Sequence, residues 1–357
     1  LDLIDYGFDP SFYIPPDMDR GEDQRIPARV TACHKERYEL ACERGAAFGR
    51  LKAGVYHAGS PEHYPTTGDF VLIEYNDSGD SRIVKTLRRR SFFSRRDPSK
   101  RPSEQAVAAN FDYVFIMQSL NMDFNLRRME RYVTLAWQSG AVPVIILSKS
   151  DLARDIEGYI SAVEGVAPGV AVFPVSVVSG AGLEAVEGLL KPRTTVVFLG
   201  SSGVGKSSLV NALAGRGIMT VNGIREDDSK GRHTTTHRQL VMLQDGAMVI
   251  DTPGMRELGM WDVSRGLGGS FGDVERYFSR CRFSDCSHIA EPGCAVRAAI
   301  ESGELPRERW ESYVNLRREA QYAEDKDAYI HRKEQMFRGI AKANRQMEKN
   351  GGKQRWI

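Results

Sequence analysis

Residues Gly200-Ser201-Ser202-Gly203-Val204-Gly205-Lys206-Ser207 carry the spacing of a phosphate cradle. Glycines let such a loop wrap closely enough for its backbone N–H groups to face phosphate oxygens, and the helix that follows adds its positive N-terminal end. The context fits: an apolar stretch, Thr195 to Leu199, leads in, and Ser208-Leu-Val-Asn-Ala-Leu leads out as a helix. Residues Gly200 to Ser208 are therefore expected to hold the nucleotide, with Lys206 on the β- and γ-phosphates and Ser207 on Mg2+. Val249-Ile-Asp251-Thr-Pro-Gly254 ends a second apolar strand in a carboxylate. Asp251 is expected to hold Mg2+ through water, and the N–H of Gly254 to sense a γ-phosphate. Between the two lies the polar stretch Arg232-His-Thr-Thr-Thr-His-Arg238, placed as a switch loop in which Thr234, Thr235 or Thr236, with Thr235 preferred, ligates Mg2+.

Base choice needs separate residues. Val144 to Leu147 is an apolar strand ending in Ser148-Lys149-Ser150-Asp151, close to N-K-x-D. The Asp151 carboxylate can accept from guanine N1–H and N2–H2, a donor pair adenine lacks, while the Lys149 stem lies along the base. Ser148 stands where an asparagine is usual, which removes an amide able to brace neighbouring loops or touch the base. Pro174-Val-Ser176-Val-Val-Ser-Gly180 is similar to the loop that meets guanine O6 through backbone N–H. GTP and GDP are the expected ligands. Both base motifs precede the phosphate loop instead of following it, so the order is circularly permuted. Met255 follows the Asp251 to Gly254 motif and cannot orient a water; His233, or else His237, of the switch loop is expected to do so when a partner orders that loop, the alternative being a solvent-facing loop histidine.

A third group is Cys281, Cys286, His288 and Cys294, four ligands for a tetrahedral Zn2+ with no coordination position left open for catalysis. A redox cysteine pair with a stray histidine is the alternative. Cys33 and Cys42 are expected to be ordinary β-barrel residues.

The elements that must position these groups follow from the pattern along the chain. At 357 residues two or three domains are expected. Residues 25–93 alternate short apolar stretches with turns, a small β-barrel, and residues 94–108 are Pro- and charge-rich, a linker. Residues 109–272 alternate strands and helices, a parallel sheet covered on both faces, and 273–357 hold the Cys/His cluster and a helical end. Residues 1–24 are expected to be an extension of uncertain order. No run approaches the ~18 apolar residues of a membrane helix and no secretory pattern opens the chain, so a cytoplasmic monomer without membrane contact is expected. A net charge of +2 implies no nucleic-acid partner by itself. Local excess is found at Arg88, Arg89, Arg90, Arg95, Arg96, Lys100 and Arg101, and again from Arg338 to Arg355.

A barrel, permuted nucleotide motifs and C-x4-C-x-H-x5-C together resemble the ribosome small-subunit-dependent GTPase family, RsgA (YjeQ/YloQ). Gly231 to Thr236, Ala109-Asn-Phe-Asp112 and Asp251-Thr-Pro-Gly-Met-Arg-Glu257 also look like that family. The resemblance implies an N-terminal all-β OB-fold, a central circularly permuted α/β P-loop GTPase domain and a C-terminal α-helical zinc-binding domain. It further implies GTP hydrolysis coupled to late maturation of the small ribosomal subunit, with that subunit and its rRNA as partners. Two other functions stay open at this point: a nucleotide-gated RNA-binding switch that hydrolysis only resets, and a P-loop ATPase.

Overall fold

The computed structural model describes residues 2–13, 25–34, 37–52, 64–96, 104–121, 124–215, 217, 238–251 and 264–318. Strands β1 (Arg25–Cys33), β2 (Tyr38–Cys42), β3 (Gly45–Leu51), β4 (Phe70–Glu74) and β5 (Ser81–Thr86) form the barrel. Their order is β1-β2-β3-β5-β4, closed by a β1–β4 pairing. Alternate residues turn Ala28, Val30, Leu40, Val71, Ile73 and Ile83 inward to a common core.

The other face of β4 carries Phe70 and Leu72, and residues 2–13 cover it. Leu3 and Phe8 pack there with Val84 and Leu87, and the Phe8 and Phe70 rings lie 5.3 Å apart. Here the expectation of an N-terminal extension of uncertain order is corrected for residues 2–13. Their polar average hides two apolar anchors, and a strand buried on both faces needs a cover. The short helix α1 (Pro10–Tyr13) closes the segment, with Arg88 over the Phe12 ring.

Strands β6 (Phe92–Arg96) and β7 (Glu104–Ala109) pair antiparallel where composition suggests a linker. Val107, Ala108 and Phe93 are buried, and Phe93 stacks on Phe111 at 4.8 Å, inside the core of the α/β domain rather than the barrel. The Pro- and charge-rich composition belongs to residues 97–103, which lie outside the described residues; the flanking apolar residues decide the structure of β6 and β7.

The α/β domain has parallel strands β8 (Tyr113–Ser119), β9 (Val142–Ser148), β10 (Ala171–Val175), β11 (Thr195–Leu199) and β13 (Met248–Asp251), with β12 (Arg238–Met242) antiparallel to β13. The order is β10-β9-β8-β11-β13-β12. Helices α2 (Leu126–Gln138) and α3 (Ile156–Val166) cover one face through Met129, Val133 and Val163. Helices α4 (Leu183–Glu187) and α5 (Lys206–Leu213) cover the other through Val186, Leu209 and Val210. Continuous apolar strands such as Val144 to Leu147 are what a sheet buried on both faces requires.

Strand β12 also pairs with barrel strand β1, at Ala32↔Gln239 and Cys33↔Arg238, so barrel and α/β domain share one sheet of 11 strands. Arg29 fastens the joint. It is 1% exposed and donates to the carbonyls of Gly68, Asn110 and Tyr6 and to Thr195 Oγ1. Asn110, at φ 53°, accepts from Arg90 N on Oδ1 and donates from Nδ2 to Gly68 O, while Asp112 Oδ2 accepts from Thr195 N at 2.7 Å. The Ala109 to Asp112 motif thus holds domains together. Arg89, from the basic stretch, is similarly consumed: it donates to both oxygens of buried Asp69, at 2.7 and 2.8 Å.

The C-terminal region contains α6 (Ser264–Glu275), α7 (Ala295–Ser302) and a helix over 307–318, α8. The border expected at 272/273 lies beside a kink in α6 at Phe271 (φ −124°, ψ 27°), and Phe271 and Val274 both pack with Tyr277, Val296, Tyr313 and Leu316, so the packing continues across it. Among the described residues, no helix is long and apolar enough to cross a membrane.

Candidate functional site

Strand β11 delivers the phosphate loop at the centre of the sheet, between β8 and β13, where the C-terminal strand ends open a crevice. Gly205 precedes α5 at φ 97°, a left-handed conformation that glycine takes without strain, and no atom lies within 4 Å of the Cβ position it lacks. The loop backbone is therefore open to a ligand there. Lys206 Nζ donates to the carbonyls of Gly200 (2.6 Å) and Ser201 (2.7 Å), folding back over its own loop. Asp251 ends β13; burial pushes its carboxyl up and the nearby Lys206 ammonium pulls it down. A half-buried carboxylate, an ammonium and the hydroxyl of Ser207 at a helix N-terminus suit a magnesium–phosphate group, whose positive ion would offset the desolvation of Asp251.

The base motifs converge on the same loop. Ser148, at the end of β9, donates from Oγ to Val204 O at 2.6 Å, with Gln118 O at 3.3 Å. Lys149, at φ 57°, donates from Nζ to Gly203 O at 2.8 Å. The serine therefore keeps a brace to the phosphate loop despite the missing amide. Ser176, fully buried after β10, donates from Oγ to Asp151 Oδ1 at 2.5 Å and accepts from Ser179 N. That leaves Asp151 Oδ2 for a ligand with paired donors. Sequence reasoning named Ser176 for its backbone; its hydroxyl as the support of Asp151 was missed, since side-chain direction is not written in the motif.

Thus Ser148, Lys149, Asp151 and Ser176 meet Gly200 to Ser208 and Asp251 at one end of the sheet. His233, Thr234, Thr235, Thr236, His237 and Gly254 lie outside the described residues.

The cysteine and histidine cluster is a separate centre. The ligand atoms of Cys281, Cys286, His288 and Cys294 all lie within 4.8 Å of one another. His288 Nδ1 is 3.5 Å from both Cys281 Sγ and Cys294 Sγ. Zn–S and Zn–N bonds of about 2.3 and 2.0 Å at a tetrahedral angle put sulfur and nitrogen about 3.5 Å apart, so the donor set fits zinc. The imidazole is held against Phe278, stacked at 4.5 Å, and edge-on to Trp310 at 5.7 Å. Glu291 organises the loop by accepting from the N–H groups of Ser287, Ile289 and Ala290, and its carboxyl is lowered to about 2, first by the Ser287 hydroxyl. Cys33 and Cys42 lie in the barrel; burial pushes the Cys33 thiol up to about 12, which keeps it inert.

Arg309 joins this region to the α/β domain, a link that no motif announces. Its guanidinium donates to Glu130 on α2 (2.8 Å), to both oxygens of Asp273 on α6 (3.0 Å each) and to the carbonyls of Val166 and Ser270.

Comparison with known proteins follows the same lines. Residues 86–261 match the model of the RsgA GTPase family. Small ribosomal subunit biogenesis GTPase RsgA 1 of Listeria monocytogenes is 49% identical over 306 residues, 84% of this chain and 87% of that protein. The Streptomyces avermitilis protein of the same description is 47% identical over 265 residues, 73% of this chain and 71% of its own. The crystal structure of YjeQ from Thermotoga maritima superposes with a TM-score of 0.62 at 26% identity, covering 83% of this chain and 99% of that one. YloQ, a circularly permuted GTPase, shares the fold, with a TM-score of 0.61 at 24% identity, covering 86% of this chain and 98% of that one. With its phosphate loop, displaced base motifs, barrel and cysteine cluster in place, this chain belongs to the RsgA family and is a GTP-hydrolysing enzyme.

Proposed function

We propose that this enzyme couples GTP hydrolysis to late maturation of the small ribosomal subunit in the cytoplasm, acting as a monomer on the subunit and its rRNA. The observation that carries the reading is the β1–β12 pairing, which makes the barrel part of the sheet that ends in Asp251. A partner seated on the barrel is then coupled to the nucleotide site through hydrogen-bonded backbone. The barrel surface sets basic and aromatic groups side by side: Arg37 lies over exposed Phe48 at 3.7 Å and shares Asp80 with exposed Arg50, and Arg44 lies over Tyr75, so RNA phosphates would compete with Asp80 for these guanidinium groups.

In this reading Asp151 takes the N1–H and N2–H2 of guanine, the loop after Ser176 meets O6, and the Lys149 stem lies along the base. Lys206 exchanges its contacts with Gly200 and Ser201 for the β- and γ-phosphates, and loop N–H groups from Gly200 to Ser208 hold the remaining oxygens. Ser207, Asp251 and Thr235 would hold Mg2+, which supplies charge neutralisation at the phosphates when bound. Gly254 N–H meets the γ-phosphate and His233 orients the attacking water. A His233→Ala variant should lose subunit-stimulated turnover; unchanged turnover would remove the histidine from the scheme.

The direct test is GTP turnover by the protein alone, with small subunits and with large subunits, at fixed salt. Stimulation by small subunits only is the expected result. Equal rates in all three would leave the guanine site standing and discard the partner.

A further inference from the structure

Among the described residues, the guanine pocket leaves one acceptor of the base without a side-chain amide to read it. Guanine offers O6 and N7 as acceptors beside its N1–H and N2–H2 donors. At Ser148, an asparagine amide would bring two N–H donors, one for the phosphate loop and one to spare for the base. Serine brings a single hydroxyl proton. In this structure Ser148 is 5% exposed and its Oγ sits 2.6 Å from Val204 O, with Gln118 O as the next acceptor at 3.3 Å. Both neighbours are carbonyls and the short contact to Val204 O takes the single proton, so the hydroxyl in this arrangement offers only lone pairs elsewhere. Gln118, a further buried amide near Ser148, donates one Nε2–H to Asn125 O at 2.9 Å and accepts from Asn125 N at 2.8 Å, which holds its amide at the N-terminus of α2.

Resting on the base-site reading above, we propose that this enzyme recognises guanine through N1–H, N2–H2 and O6 alone, with Ser148 spent on the phosphate loop and N7 left unread. The substrate class is accordingly wider than guanine: nucleotides of 7-deazaguanine, in which carbon replaces N7, are ligands of equal standing. Ser148 is then a specificity-determining residue by what it does not donate. It is a positioning residue for the loop, tying Val204 to β9, and contributes nothing to the Hoogsteen edge of the base.

The test is displacement of a fluorescent GDP analogue from the full chain by GDP and by 7-deaza-GDP. The two should compete within about twofold of each other on the natural protein. In Ser148→Asn the amide regains a second donor, and GDP should gain over 7-deaza-GDP by roughly two- to tenfold, the worth of one neutral hydrogen bond. Ser148→Ala, which loses the brace without adding a donor, should weaken both ligands together and keep their ratio near one. Natural protein that binds 7-deaza-GDP more than about twofold more weakly than GDP would overturn the proposal; loss of that difference in Ser148→Ala would trace the N7 contact to Ser148, and its retention to another donor. Xanthosine diphosphate separates that failure from a failure of the site itself. Asp151→Asn should shift preference from guanine to xanthine; if it does so while N7 is still discriminated, only the Ser148 proposal falls. If it leaves guanine preferred, the base-site reading falls and takes the proposal with it.

Discussion

Replacing Arg309 with methionine tests how the C-terminal region is held to the nucleotide-binding domain. The side chain is 3% exposed and its Glu130 partner 4%, while Asp273, at 28%, can be rehydrated when the pair is lost. Methionine fills much of the volume and leaves Glu130 buried without its cation, for which about 3–5 kcal/mol is the usual loss. Burial already pushes the Glu130 carboxyl up, with Arg309 opposing. Without the arginine it rises further, so the folded form must take up a proton or keep an unpaired charge. The deficit is therefore small below the unfolded-state carboxyl value, grows as pH rises towards the folded value, and is constant above it. Glu130→Gln combined with Arg309→Met should recover most of the loss. Urea unfolding followed by tryptophan fluorescence, with Trp310 next to the site, would measure both at several pH values. A loss under about 1 kcal/mol at neutral pH, or a double variant no more stable than the single, would refute a buried pair as the fastening.

Other expectations are more local. Phe8→Ala removes the ring that packs tilted against Phe70 and should cost about 3 kcal/mol, whereas an unpacked N-terminal segment would lose nothing measurable. Metal analysis should find one zinc per chain, and Cys294→Ser should lower that content and expose Trp310 to quenchers; full zinc content in that variant would point to other ligands. Gly182 sits at φ +74° with its missing Cβ position 2.1 Å from Pro174 O, at the foot of the Ser176 loop. Gly182→Ala should weaken guanine nucleotide binding by about tenfold through strain of about 1–3 kcal/mol, read by the same displacement titration; unchanged binding would show that the loop can shift freely.

What was legible in the sequence was whatever is written in contiguous residues. The phosphate loop, Asp151, Asp251 and the zinc donors are each fixed by spacing within a few positions, and apolar runs such as Val144 to Leu147 announce buried strands. What escaped was assembled from distant parts. Nothing around Arg29 separates a buried joint residue from any strand arginine, because its acceptors are carbonyls at positions 6, 68 and 110 and a hydroxyl at 195. Arg309 is equally anonymous. Residues 2–13 read as an unpacked extension because an average over a segment cannot register two anchors meeting the outer face of β4. The pairing of β6 with β7 is hidden for the converse reason: the polar residues 97–103 dominate the composition of the stretch.

The two-residue seam between β1 and β12 has a consequence for synthesis. Cys33 and Arg238 are paired across more than half the chain, so the barrel leaves the ribosome long before the strand that completes its margin. In that interval the end of β1 presents unsatisfied N–H and C=O groups, a template for strands of other nascent chains. Variants that slow folding of the α/β domain should therefore aggregate through the barrel, at a place remote from the altered residue.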